Sequence, residues 1–252
     1  MRRILLPLVA VMLAYCAYLT TMPVPAMQAV TAAGDNSPRI TREITLPARN
    51  IYAACLGRYD NETDARIEAA RLTARGAAGV VRADDGGYAV LGAMYDTQGD
   101  AGSVCRRLSR EENVDATVLV CASAALKLRV TAGETQLIAM ESALSLLESS
   151  PGELNELSYQ LDGGRMAADT ARALISVMHT DVSNADYGLK AAARGTGDRF
   201  CLALCDLTDG LRIALEHMCA PDGPDGLMLS SEMKNAAMRA RLGVMDMMEI
   251  LR

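Results

Sequence analysis

One stretch of this chain is written twice. Tyr52-Ala53-Ala54-Cys55-Leu56-Gly57-Arg58-Tyr59-Asp60 returns 36 residues later as Tyr88-Ala89-Val90-Leu91-Gly92-Ala93-Met94-Tyr95-Asp96. Asp64-Ala65 and Arg71-Leu72 return in step as Asp100-Ala101 and Arg107-Leu108. Repetition at a fixed period marks a supersecondary unit that cannot bury its apolar face alone. Two copies therefore make one small domain.

Each copy runs from an apolar segment through Gly and Asp into helical spacing, which predicts strand, turn and helix. Asn61 is placed to cap the first helix, with Asp64 three residues on. Ala65, Ile67, Ala69, Ala70 and Leu72 form its apolar side, and Gly76 and Gly79 stop it. Val80 to Ala83 then reads as a strand, turned by Asp84-Asp85-Gly86-Gly87 into the strand at Tyr88. A helix from Gln98 to Glu112 and a strand from Ala116 to Cys121 complete the pattern. The expected class is α+β: a ferredoxin-like βαββαβ unit over 48–124, both helices on one face of a four-stranded antiparallel sheet. Tyr52 and Tyr88, equivalent by the repeat, are expected to be buried under those helices.

The block from Asn50 to Ser123 resembles the sporulation-related repeat (SPOR) domain. That family has an aromatic-led strand ending in Gly-x-aromatic, a helix rich in Ala and Leu, a hairpin, and the set again. Leu56-Gly57-Arg58-Tyr59 stands at its first glycine and aromatic, followed by Asp64-Ala65 and Ala69-x-x-Leu72. Gly92 to Tyr95 stands where Gly-Pro-aromatic is usual, with one extra residue and no proline. The resemblance implies binding of peptidoglycan glycan strands, stripped of their stem peptides, at division or sporulation septa through the open face of the sheet.

With Tyr52 and Tyr88 toward the helices, strand alternation puts Ile51, Ala53, Cys55, Ala89 and Leu91 on that open face. The family often carries an outward Gln where Cys55 stands and a polar or basic residue where Ala89 stands. An apolar face lacks the convergent hydrogen-bonding groups that a glycan requires. Val118 and Val120 on one side, Leu119 and Cys121 on the other, also predict a last strand buried on both faces. Two functions follow: a glycan-binding face at these five residues, or a degenerate SPOR fold acting as an envelope scaffold or protein-interaction module. The second expects helices beyond Ala132 to cover the sheet.

Arg2 and Arg3 precede an uncharged run from Ile4 to Leu19, and the first acidic residue is Asp35. A basic start followed by an apolar run is an export signal. Residues 1–34 read either as a single-pass anchor in the bacterial cytoplasmic membrane or as a cleaved signal peptide, the remainder being extracytoplasmic. Residues 35–47, with Pro38 and Pro47, read as a linker.

From about Ala125 to the end the pattern is helical, predicting an all-helical domain over 125–252. Leu137, Met140, Leu144 and Leu147 form one stripe; Leu154, Leu157 and Leu161 another. Further stripes run from Met166 to Met178, from Arg199 to Met218 and from Ser230 to Leu251, five amphipathic helices in all. They need a common core, so an antiparallel bundle is the natural outcome. With no Trp and one Phe, that core must come from Ala, Leu, Val and the 15 Met.

The net charge of −6 argues against nucleic acid, as does the lack of stacking aromatics on the central strands. Cys201 and Cys205 lie one helical turn apart with His217 and Cys219 beyond, but C-x₃-C…H-x-C does not match structural zinc spacings. Inert core thiols are the simpler reading, with a disulfide left open there and between Cys55 and Cys121. His179 and His217 each stand alone. Nucleophile elbows, P-loops and paired-carboxylate signatures are absent. Asn61-Glu62-Thr63 fits a glycosylation sequon, although a helix cap explains it. The sequence thus predicts a non-enzyme without cofactor or metal, its partners being glycan strands, envelope or septal proteins and the membrane.

Overall fold

The computed structural model describes residues 38–84, 86–194 and 197–252. Asn61 follows β2 (Arg49–Tyr59) and caps α1 (Glu62–Thr73). Its side-chain oxygen accepts from the Asp64 amide at 2.9 Å and its amide nitrogen donates to the Asp64 carboxylate at 2.7 Å. The repeat position Thr97 does the same for α2 (Gln98–Glu111), accepting from the Asp100 amide at 3.1 Å and donating to its carboxylate at 2.6 Å. The two helices start identically because the same short polar pair satisfies the same free amide.

β3 (Val80–Asp84) and β4 (Gly87–Tyr95) form the hairpin, with Asp84 opposite Gly87. Gly87 has φ +121°, and a Cβ there would meet the Tyr59 carbonyl oxygen at 2.4 Å, so only glycine fits. With β5 (Thr117–Ser123) the strands lie in the order β3-β4-β2-β5, all antiparallel, with α1 and α2 on one face. The β2–β4 ladder slips at Cys55, so that Leu56 and Gly92 have no partner across it. Tyr52 and Tyr88 are half-buried, not enclosed. Tyr88, next to the hairpin, reaches only the edge of the cluster formed by Ala65, Ala69, Leu72 and Val90.

Two expected boundaries are corrected. Within 35–47, taken as linker, Ile40–Leu46 is β1; within 125–252, taken as helical, Leu126–Ala132 is β6. They pair antiparallel from Ile40 opposite Ala132 to Leu46 opposite Leu126. β6 alternates strictly, Leu-Lys-Leu-Arg-Val-Thr-Ala, and β1 does so except at Arg42, Ile-Thr-Arg-Glu-Ile-Thr-Leu; together they bury Ile44, Leu46, Val130 and Ala132 on one side. Across the other side Thr41 and Thr131 hydroxyls meet at 2.8 Å and Lys127 reaches Glu43 at 3.2 Å.

Four helices follow, not five: α3 (Glu134–Asp162), α4 (Ala168–Ala192), α5 (Arg199–Cys219) and α6 (Gly226–Ile250). The two leucine stripes of α3 are one, because Leu147, Pro151 and Leu154 keep helical phase and Pro151 is itself buried. Pro151 removes one backbone donor, leaving the Leu147 carbonyl without its usual partner in the helix. Such a loss is tolerated where the ring fills a core position.

A single apolar cluster joins the ribbon (Ile44, Leu46), the sheet (Ile51, Leu91, Met94) and all four helices (Leu137, Ile175, Leu204, Met233). The body therefore does not divide at 124/125, and Ser37–Arg252 is one compact unit. The expected core composition holds for α6, where Met233, Met238, Met245, Met247 and Met248 are all buried. Among the described residues no helix is long and apolar enough to cross a membrane. The export segment 1–34 lies outside the described residues.

Candidate functional site

Ile51, Ala53, Cys55, Ala89 and Leu91 do come together on the sheet face opposite α1 and α2. They are at most 3% exposed, in the cluster shared with the four helices. α6 crosses β3, β4 and β5 on this side. Asn235 donates to the Ala78 carbonyl at 2.7 Å, Ser231 to the Thr73 carbonyl at 2.7 Å, and Arg82 pairs with Asp246 at 2.8 Å. From α3, the Asn155 amide and the Tyr159 hydroxyl both donate to the Met94 carbonyl, at 3.2 and 3.1 Å. Small residues on the sheet let these helices approach closely, and polar ties around the rim fix their position.

The other face carries a cleft of about 470 Å³ between α1 and α2. Its position follows the repeat. Leu72 on α1 and Leu108 on α2 are equivalent and both line it, as are Leu56 and Gly92 on the floor. A Cβ on Gly92 would lie 2.4 Å from the Leu56 side chain, so glycine is what lets Leu56 lie across the slipped ladder. Arg75 and Glu112 bridge the two helix ends at 3.0 Å.

At one end of the cleft the rings of Tyr95 and Tyr159 stack at 6.2 Å with 11° between their planes. Burial pushes both phenols up, Tyr95 most, with Tyr159 beside it adding to the shift. Both hydroxyls stay neutral at physiological pH. Beside them Lys234, whose side chain is 9% exposed, reaches Asp162 at 2.5 Å and the Gly76 carbonyl at 2.8 Å. Arg107 also lines the cleft and, among the described residues, has no carboxylate partner. The cleft thus offers apolar walls, two neutral phenols and one uncommitted cation.

Tyr95, Arg107 and Leu108 carried a signal as repeat positions. Tyr159, Asp162 and Lys234 carried none, because only the docking of α3 and α6 brings them there.

A second polar cluster joins α4 to α5. Asp186, 4% exposed, takes Lys190 at 2.9 Å and Arg212 at 3.4 Å, and Asp209 takes the same two cations at 2.7 and 2.9 Å. Hydrogen bonds from Lys190 first and Arg212 second hold the Asp209 carboxyl below its usual range. This arrangement locks two helices together.

The six described cysteines are free thiols. Cys55 faces Thr117 and Cys121 faces Ile51, so neighbouring strands do not make them partners. Burial pushes Cys201 up to about 12. Among the described residues no group of three or more His, Cys, Asp or Glu is arranged to hold a metal. His179 meets the Ser183 hydroxyl at 3.2 Å, one turn along its own helix, and His217 is exposed near the end of α5. Compared with known proteins, the chain matches no family model, no curated protein and no solved structure.

Proposed function

We propose that this chain is an exported, non-enzymatic protein of the bacterial envelope whose SPOR-like, ferredoxin-like βαββαβ unit serves as a scaffold or protein-interaction module. The observation that carries this reading is the burial of Ile51, Ala53, Cys55, Ala89 and Leu91 beneath the chain's own helices. A face filled by α6 has no room for a glycan strand, and its residues offer no donors to one. Export rests on Arg2, Arg3 and the apolar run that follows, which would hold the protein in the cytoplasmic membrane or release it beyond. The absence of nucleophile and P-loop signatures supports a non-catalytic role. Its partners are then other envelope proteins.

The test is a pulldown on peptidoglycan sacculi with and without amidase treatment, which strips stem peptides. Equal, background-level capture on both is expected. Enrichment on stripped sacculi would restore glycan binding as the function.

A further inference from the structure

We infer that the cleft between α1 and α2 is a binding site for a monoanionic amphiphile: a flexible hydrocarbon chain carrying one carboxylate head. The inference goes beyond the scaffold reading and does not depend on where the protein acts.

Size and lining come first. A cavity of about 470 Å³ lies within the range of small-molecule sites, which are mostly apolar with a few placed polar groups. Leu56, Leu72, Val104, Leu108, Val114 and Leu227 supply the hydrocarbon surface. The charges select the head. Three cations and two anions line the cleft; Arg75 is taken by Glu112 at 3.0 Å and Lys234 by Asp162 at 2.5 Å. One cation is left, Arg107, so the ligand that balances the site carries one negative charge. A guanidinium forks onto a carboxylate with two parallel hydrogen bonds. The neutral phenol of Tyr95 is near it and cannot compete for its charge.

Other ligand classes fit less well. The floor is made by β2 and β4, the two central strands, each paired on both sides. No free strand edge is offered to a peptide backbone. A sugar needs many convergent hydrogen-bonding groups, and most of the polar groups here are already engaged: Arg75 with Glu112, Lys234 with Asp162, and the Tyr159 hydroxyl with the Met94 carbonyl. A nucleotide brings more negative charge than one free arginine balances.

The experiment uses the full chain and a decanoate bearing a diazirine at its far end, with decanol and decylamine analogues carrying the same group. After photolysis, mass spectrometry locates the labels. Decanoate is expected to label Leu56, Leu72, Val104 or Leu108, and to do so more than either analogue. Arg107→Gln changes an exposed side chain and should cut decanoate labelling about tenfold, the loss expected for a hydrogen-bonded ion, while leaving decanol labelling unchanged. Val104→Trp should fill the cleft and abolish labelling by both; as the only tryptophan in the chain, its fluorescence also reports whether that variant is folded. If it is unfolded, Arg107→Gln alone decides. Labels outside the cleft, equal labelling by acid, alcohol and amine, or decanoate labelling untouched by Arg107→Gln would each overturn the inference.

Discussion

Tyr52 stands opposite Tyr95 across the β2–β4 ladder. The repeat carries this pair onto Tyr88 and Tyr59, which also stand opposite one another. The two copies therefore meet about an approximate twofold axis through the middle of the ladder, close to the slip at Leu56 and Gly92. The paired caps Asn61 and Thr97 obey it, and so do Leu72 and Leu108 in the cleft. What breaks the symmetry is the remainder of the chain, which adds Tyr159 and Lys234 at one side only.

The four tyrosines are not equal in energy. Tyr88 packs beside Ala65, Ala69 and Leu72, while Tyr52 joins none of the buried clusters. Since both rings are half-buried, Tyr88→Ala should cost about 1–3 kcal/mol, below the ~3–5 kcal/mol of an enclosed ring. Tyr52→Ala should cost less than Tyr88→Ala. Urea midpoints at constant slope would measure both, and the reverse order would contradict the packing described.

Lys234 and Asp162 should respond unequally to truncation. The ammonium is nearly enclosed, while the carboxylate side chain is 32% exposed and can turn to water. Asp162→Ala strands a buried cation, so it should cost up to about 3 kcal/mol. Lys234→Met removes the buried charge itself and should cost about 1 kcal/mol or less. Denaturant titration of the two variants checks the asymmetry.

The thiols should follow burial in their chemistry. Cys219 is the only described cysteine that is not fully buried, and Arg172 partly offsets the upward push of burial on it. Alkylation of the native chain at pH 8 should therefore mark Cys219 first among the described cysteines. Cys201, raised to about 12 and wholly enclosed, should react only once the chain unfolds. Peptide mapping over time distinguishes these rates.

Acid and base should weaken the α4–α5 contact by different residues. The Asp209 carboxyl titrates below its ordinary 3.8 when folded, so its contribution is present above about pH 4 and is lost as pH falls through the lower folded value. Lys190 is raised above 10.5, chiefly by Asp209 and then Asp186, so its share is present below that pH and lost as pH rises through the folded value. Asp209→Asn should flatten part of the stability loss below pH 4 and leave the slope between pH 5 and 8 unchanged. Thermal midpoints across that pH range would show it.

The repeat made the four strands of the sheet and the Asn61 cap legible, because strand, turn and cap each depend on residues within a few positions of one another; Thr97, at the position of Asn61 in the second copy, went unread. Alternation also placed the five face residues correctly on one side. β6 carried a clear alternation, but Arg42 interrupts that of β1, and Pro38 and Pro47 flank β1 and suggested a linker. A strand whose partner lies some 80 residues away gives no local sign of pairing. The two leucine stripes read as separate helices are one, since Pro151 between them keeps helical phase and is itself buried. The cleft was half legible: its repeat-derived residues could be named, while Tyr159 and Lys234 arrive from helices whose docking depends on apolar packing that any of several stripes would satisfy.

The ribbon also decides how the molecule bears load. Ile40 and Ala132 lie side by side at the same end of an antiparallel pair. Tension between the chain ahead of Ile40 and the helices after Ala132 therefore acts on one hydrogen-bonded rung at a time, peeling the two strands apart instead of shearing all seven pairs together. Stretched from its ends, the protein has a low-force release built in ahead of the sheet, and single-molecule pulling should read it as a small first extension before the body yields.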